Sequence, residues 1–336
     1  MPRINLNDFL DDDFEVLEEH RRHQHSRRKP RRSTENVLKE LTDHVDSLEN
    51  FEFTYNASRH EQAWIVDSLG GFYDQEWVYD VLRLLKGGKE ASVYQCSGNP
   101  ETSAALIAAK VYRPRRFRNL KKDHIYREGR ERLDADGNVI QDDGMHHAMN
   151  KRTTYGLELL HTSWIEHEFK TMQILHAAGA DVPTPFASGN NAILMEYIGG
   201  EDTPAPTMNG IELSSSEARP LFERVVHNIE LMLTNDRVHG DLSAYNILYW
   251  DGDITLIDFP QAIQPDRNQN AFAIFERDVT RICEYFARQG VRRDAHKLAV
   301  DLWKSHHHSL RPQFDLHLLD ADDESDRRFW DELMDD

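Results

Sequence analysis

Three polar residues stand close together in the stretch "VHGDLSAYNILYWDGDITLIDFPQA", residues 238–262: Asp241, Asn246 and Asp258. "NILYW" and "ITLID" read as short strands joined by an Asp-Gly turn. A hairpin of that kind returns the chain, so Asn246 at the start of the first strand faces Asp258 at the end of the second. A converging amide oxygen and carboxylate suit Mg²⁺, a hard cation that takes oxygen ligands and keeps sites for water and phosphate. Asp241 is left to accept a proton from a hydroxyl. Metal ligands beside a proton-accepting carboxylate are what phosphoryl transfer requires. Asp251 and Asp253, in contrast, read as turn formers.

Phosphoryl chemistry also needs donors for the phosphate oxygens. "KGGKEASVY", residues 86–94, reads as a glycine turn between strands whose backbone N–H groups approach phosphates. Lys110, amid apolar neighbours in "AAKVY", is an inward-facing candidate for the same oxygens. Glu168 in the helix "WIEHEFKTM" is its expected ion-pair partner, with Glu166 as the rival. "ILMEYIGG", residues 193–200, resembles a strand-to-linker segment where an adenine ring meets backbone groups.

These residues need elements to hold them. "WVYDVLRLL" is apolar enough for a helix or a strand. "GGKEASVYQC" alternates after its glycine pair, and "ALIAAKVYR" reads as the next strand, with "SGNPETSA" closing a hairpin between the two. Residues 113 to about 160 are polar and carry turn signals in "LDADGNVIQDDG". "TSWIEHEFKTMQILHAAG" predicts an amphipathic helix, capped by Thr162 or Ser163 and ended by Gly179. "VPTPFASGNNAILMEYIGG" predicts a Pro-rich loop, a turn and a buried strand. "SSSEARPLFERVVHNIELMLTND" and "FERDVTRICEYFARQGV" predict two more helices, the first with a capping-type start. Strands and one helix followed by helices around a small hairpin give an α+β, two-lobed pattern.

The segments "GGKEASVY", "AAKVYR", "WIEHEF", "VPTP", "MEYIGG", "TPAP", "HGDLSAYNILY", "LIDFPQA" and "RDVTRICEYF" together resemble the RIO-type atypical serine/threonine protein kinases, of the RIO1 branch or a bacterial or archaeal relative. The resemblance runs from about residue 65 to about 295. It implies a kinase-like fold with a small β-rich N-lobe (about 65–198) and a mainly helical C-lobe (about 199–295). It implies ATP as phosphoryl donor, and Mg²⁺, with Mn²⁺ as a substitute. Asp241 becomes the base, and Asn246 and Asp258 the metal ligands. Lys110, Gly88, Lys89 and Val93 become nucleotide contacts, with Glu168 supporting Lys110. Glu196 and Ile198 become the backbone groups for adenine. Asp258 is also the candidate to carry an aspartyl-phosphate, and the family acts in small-ribosomal-subunit maturation, with ATPase activity at least as prominent as protein phosphorylation. The usual "HRD" and "DFG" read "HGD" and "DFP" in this chain, and no "APE" follows, so no full activation segment is expected. Aminoglycoside and choline kinase-like enzymes share the "HGD…N…ID" arrangement, which keeps a small-molecule phosphotransferase as the alternative. A nucleotide-binding switch without turnover is a third.

Composition bounds the rest. The 336 residues carry a net charge of −19, which argues against a whole-chain nucleic-acid binder. Charge is segregated, however. Residues 1–50 read as a mostly disordered charged arm with one helix, and residues 296–336 as a helix and an acidic tail. Residues 110–132 hold ten Lys or Arg against three Asp or Glu, a candidate surface for pre-ribosomal RNA or small-subunit proteins. His306, His307 and His308 read as an exposed loop rather than a metal site. Two cysteines, Cys96 and Cys283, make no disulfide framework, and no apolar run is long enough to span a membrane, so a cytoplasmic protein is expected.

Overall fold

The computed structural model describes residues 51–113, 130–189 and 191–306. The protein is α+β and two-lobed. Strand alternation builds the N-lobe. In β3 (Leu106–Tyr112), Ile107, Ala109 and Val111 enter one apolar core, while Ala108 and Tyr112 enter another. Lys110 shares the face of Ala108 and Tyr112, because side chains alternate with period two. β5 (Ala192–Glu196) splits the same way, with Ala192 and Leu194 in the first core and Ile193 and Met195 in the second. These two strands are buried on both faces because both faces are covered.

The sheet order is β1 (Val78–Gly87), β2 (Ala91–Gly98), β3, β5, β4 (Pro185–Gly189), and every neighbouring pair is antiparallel. The ambiguous "WVYDVLRLL" is therefore a strand. "VPTPFASGNNAILME" is a hairpin of two strands rather than a loop and one strand. Pro185 begins the outer strand β4, an edge position that tolerates a residue with no N–H.

One face of the sheet is covered by α1 (Arg59–Asp74). Ser58 caps it by accepting the Glu61 N–H at 3.4 Å, and Ile65, Val66, Leu69 and Phe72 form its buried stripe. Phe51 packs in the same core, so ordered packing begins upstream of the start expected near residue 65.

The other face carries α3 (Thr154–Ala177), which lies between the lobes and is buried continuously from Ser163 to Phe169. It begins earlier than expected. Thr153 is the cap and accepts the Gly156 N–H at 3.0 Å. Thr162 and Ser163 are interior, and the Ser163 hydroxyl instead accepts the Leu133 N–H at 2.9 Å. Gly179 follows the helix end at φ 78°, as a left-handed C-terminal residue does. α2 (Asp143–Lys151) precedes α3 and touches it closely: a Cβ on Gly156 would lie 1.9 Å from the Ala148 carbonyl oxygen.

In the C-lobe, α4 (Ser215–Thr234) opens with a capping box between Ser214 and Glu217. β6 (Ile247–Trp250) and β7 (Asp253–Leu256) form the expected hairpin in register Ile247↔Leu256 to Trp250↔Asp253. Asp251 (φ 51°) and Gly252 (φ 85°) make its tight turn. α5 (Ala271–Arg288) and α6 (Ala295–Ser305) complete the lobe. The His306 ring nitrogen Nδ1 lies 2.8 Å from the Leu302 carbonyl oxygen at the end of α6. The charged arm, most of the basic run 110–132, His307, His308 and the acidic tail lie outside the described residues. Among the described residues, no helix is long and apolar enough to cross a membrane.

Candidate active site

The cleft between the lobes brings five of the sequence-derived residues into two linked clusters. In the first, Lys110 Nζ donates to Glu168 Oε1 at 2.6 Å and to Asp258 Oδ1 at 2.5 Å. Glu168 is almost fully buried and also accepts from the Tyr112 hydroxyl and, at 3.3 Å, from the Phe259 N–H. One carboxylate on α3 thus ties β3 to the loop that follows β7. Glu166, the rival, points elsewhere and accepts from Ser188 at 3.0 Å. Burial opposes the charge on Lys110, but Asp258 and Glu168 hold its ammonium above the ordinary lysine range. Burial likewise pushes the Asp258 carboxyl up, yet the ammonium of Lys110 brings it below the ordinary value.

The second cluster is the loop after α4. The Asn246 amide nitrogen donates to the Asp241 carbonyl at 2.9 Å and to Asp241 Oδ2 at 3.2 Å. Asn246 closes a short 3₁₀ turn, Ala244–Asn246, and its carbonyl accepts the Ile257 N–H at 2.9 Å, which fixes it beside the segment leading to Asp258. Asp258 has φ 75°, an unusual conformation for a non-glycine residue and one held only where surroundings impose it. Asn246 Oδ1 and Asp258 Oδ2 accept no hydrogen bond from a described residue, so two hard oxygens are left on adjoining segments. That donor set fits Mg²⁺ sharing its coordination with phosphate and water. Among the described residues no group of three or more His, Cys, Asp or Glu side chains is placed to hold a metal alone.

Three further residues, all on α5, support this loop. Asp278 Oδ2 accepts the Gly240 N–H at 2.8 Å. Arg277 donates to the Gly240 carbonyl at 2.6 Å. Arg281 Nη1 donates to Asp241 Oδ1 at 3.2 Å. Gly240 itself has φ 82°, and a Cβ there would lie 2.2 Å from the Gln261 carbonyl oxygen. His239 Nε2 lies 3.2 Å from the Ile257 carbonyl oxygen, and the Asp241 N–H reaches His239 Nδ1 at 3.4 Å. Burial, together with the charge of Asp278, raises the Asp241 carboxyl, and Arg281 offsets part of this.

A family model described as the RIO domain matches residues 92–298, more than half of the chain. The chain belongs to the RIO domain family. It is 29% identical over 213 residues to the RIO-type serine/threonine-protein kinase Rio1 of Haloferax volcanii, covering 63% of this chain and 64% of that protein. It is 32% identical over 130 residues to the human serine/threonine-protein kinase RIO1, covering 38% of this chain and 23% of that protein. A third relative, Rio1 of Thermoplasma acidophilum, is 29% identical over 135 residues, covering 40% of this chain and 69% of that protein. The chain therefore spans less than two thirds of the length of the first two relatives.

The remaining expected residues of this RIO domain lie in or beside β1, β2 and β5. Gly88 lies in the turn between β1 and β2, where its N–H donates to the Ala91 carbonyl at 2.9 Å. Lys89 in the same turn is exposed. Val93 is paired with Lys110 across β2 and β3 and packs against the core between the lobes. The Glu196 carboxylate accepts from the Thr184 N–H at 3.0 Å and hydroxyl at 2.8 Å, and the Glu196 N–H donates to the Thr184 carbonyl at 2.9 Å. Ile198 accepts from the Ala205 N–H at 3.0 Å, while its own N–H has no partner among the described residues. Of the two, Ile198 retains the backbone donor.

Proposed function

We propose that this RIO domain is an ATP-dependent phosphotransferase that acts on serine or threonine hydroxyls and also hydrolyses ATP. The carrying observation is the meeting of Lys110 from the N-lobe and Glu168 from α3 with Asp258, Asn246 and Asp241 from the C-lobe. Lys110 and the turn at Gly88 hold the phosphates, and the Ile198 N–H and the apolar face around Val93 hold the base. Asn246 and Asp258 would hold Mg²⁺, which when bound offsets charge on the phosphates; Mn²⁺ would serve the same oxygens. In the transfer, the acceptor oxygen forms a bond to the γ-phosphorus as the bond to the β,γ-bridging oxygen breaks. ADP leaves with that electron pair, and the acceptor proton passes to the Asp241 carboxylate. Asp258 is also the candidate acceptor in an aspartyl-phosphate cycle. The relatives carry the words serine/threonine-protein kinase in their names, which supports the hydroxyl acceptor. A role in small-ribosomal-subunit maturation, a basic contact through residues 110–132 and a cytoplasmic location are proposed with it.

A small-molecule phosphotransferase is the second reading. It is favoured by the short path from Asp258 to α5 at Ala271, which leaves little chain for a peptide-docking platform.

Incubation of the full chain with γ-labelled ATP and Mg²⁺ tests this, with label on the protein and free phosphate followed together and Asp258→Asn as control. Acid-stable label on Ser or Thr is the kinase outcome. Hydroxylamine-labile label with free phosphate is the aspartyl-phosphate outcome. Bound ATP with neither signal overturns both, and moves the weight to the small-molecule enzyme or a nucleotide switch.

A further inference from the structure

α5 presents Arg277, Asp278 and Arg281 to a single stretch of chain, Gly240–Asp241. Positions 277, 278 and 281 share one helical face. Asp278 takes the N–H of Gly240 and Arg277 takes its carbonyl, so the residue before Asp241 is held on both sides. Arg281 then reaches the Asp241 side chain itself. The two carboxylate oxygens are divided: Oδ1 faces Arg281 and Oδ2 faces Asn246, each at 3.2 Å. The exposures also differ. The Arg281 side chain is 16% exposed and the Asp241 side chain 51% exposed. The carboxylate is open to a reactant, whereas the guanidinium stands mostly behind it.

We propose that Arg281 is a positioning residue for the reaction, fixing the rotamer of Asp241 from the helix side so that its open face meets the acceptor hydroxyl. This rests on the reading of Asp241 as the proton acceptor. Asn246 alone would not fix the carboxylate, because a single contact leaves rotation about the Cβ–Cγ bond. Opposed donors on the two oxygens remove that freedom. Arginine suits this place because its charge persists and its planar donor group keeps a set direction.

The test compares the wild-type full chain with Arg281→Met and Arg281→Lys. For each, kcat and KM for ATP are measured by phosphate release and label transfer, nucleotide affinity with a fluorescent ATP analogue, and the melting temperature by calorimetry. Arg281→Met is expected to lose about 10–100-fold in kcat, with KM for ATP and nucleotide affinity within about 3-fold of wild type. Arg281→Lys is expected to recover most of that loss, because its ammonium reaches the same oxygen. Unchanged kcat in Arg281→Met overturns the proposal. So does a lysine variant no better than methionine, or a loss shared by kcat, nucleotide affinity and melting temperature, which marks a role in folding alone. If Arg281→Met does not fold, Arg281→Gln replaces it under the same criteria. A wild type that binds nucleotide but neither transfers nor releases phosphate defeats the phosphotransfer reading. An active wild type with an indifferent Arg281→Met defeats this inference only.

Discussion

Lys110 and Asp258, 148 residues apart in the chain, meet at 2.5 Å across the cleft, and the same ammonium lies 2.6 Å from Glu168. One cation joins a strand of the N-lobe, the helix between the lobes and the segment that follows the C-lobe hairpin. Lys110→Met leaves Glu168 buried with its charge uncompensated, a change that costs about 3–5 kcal/mol. The variant should melt well below wild type and show no phosphotransfer. Denaturant unfolding of the two proteins measures it, and equal midpoints would show that the pair contributes nothing to folding.

Asp241→Ala should reduce turnover by about 10²–10⁴-fold while nucleotide affinity stays near wild type, because Asp241 makes no contact with Lys110 or the Gly88 turn. Asp258→Asn should differ in kind. It removes an anionic oxygen from the proposed metal site, so its nucleotide affinity should lose its dependence on Mg²⁺. Titration of fluorescent nucleotide with and without Mg²⁺ separates the two variants.

Gly240→Ala should disable the loop. The backbone conformation alone costs about 1–3 kcal/mol for a residue with a Cβ, and that Cβ would overlap the Gln261 carbonyl oxygen. Lower stability and loss of turnover should appear together. A variant with wild-type melting would mean that the loop adopts another path in solution.

His167 gives a pH prediction. Its ring lies buried in α3 with Nε2 2.9 Å from the Ala262 carbonyl oxygen. Burial first, and then the charge of Arg130, hold its pKa well below the usual histidine value. The unfolded chain takes up this proton near pH 6.5 and the folded one does not. Stability is therefore intact above about pH 6.5 and declines below it, by at most about 1.4 kcal/mol per pH unit from this residue. His167→Gln should flatten the acid side of a plot of melting temperature against pH between 5 and 8. An unchanged plot would assign the acid loss to other groups.

Deletion of residues 1–50 should leave cooperative unfolding intact. Extending the deletion through residue 57 should lower stability, because it removes Phe51 from the core and Thr54 from its 2.7 Å contacts with Asp80. Calorimetry of both truncations decides where the folded unit begins.

Much of the site was legible because its signals are local. The Asp-Gly turn between β6 and β7 needs two positive φ values, and Asp251 and Gly252 supply them. The apolar neighbours of Lys110 marked it as inward-facing, and the capping box marked the start of α4. Three features escaped for physical reasons. Thr162 and Ser163 look like a helix start, yet both lie in the interior of α3, where Ser163 is buried against Leu133, and the true cap lies at Thr153. Pro183 and Pro185 disguised β4, which exists because it is an outer strand. The supports on α5 had no local signature at all. Nothing in "RDVTR" says which loop Asp278 and Arg281 will meet; only the packing of that helix against the loop decides it.

The close approach of Gly156 to Ala148 has a consequence for control. α2 and α3 are wedged together near the start of α3, and from Trp164 to Leu175 α3 is packed into the core it shares with the C-lobe. Swinging α3 away from the sheet would break that wedge and strand Glu168 without its partners. The helix therefore behaves as a fixed axle rather than a lever. Enzymes that are switched by helix displacement break and re-form such an ion pair; in this fold the Lys110–Glu168 pair is buried and tied to a helix that has no free end to swing.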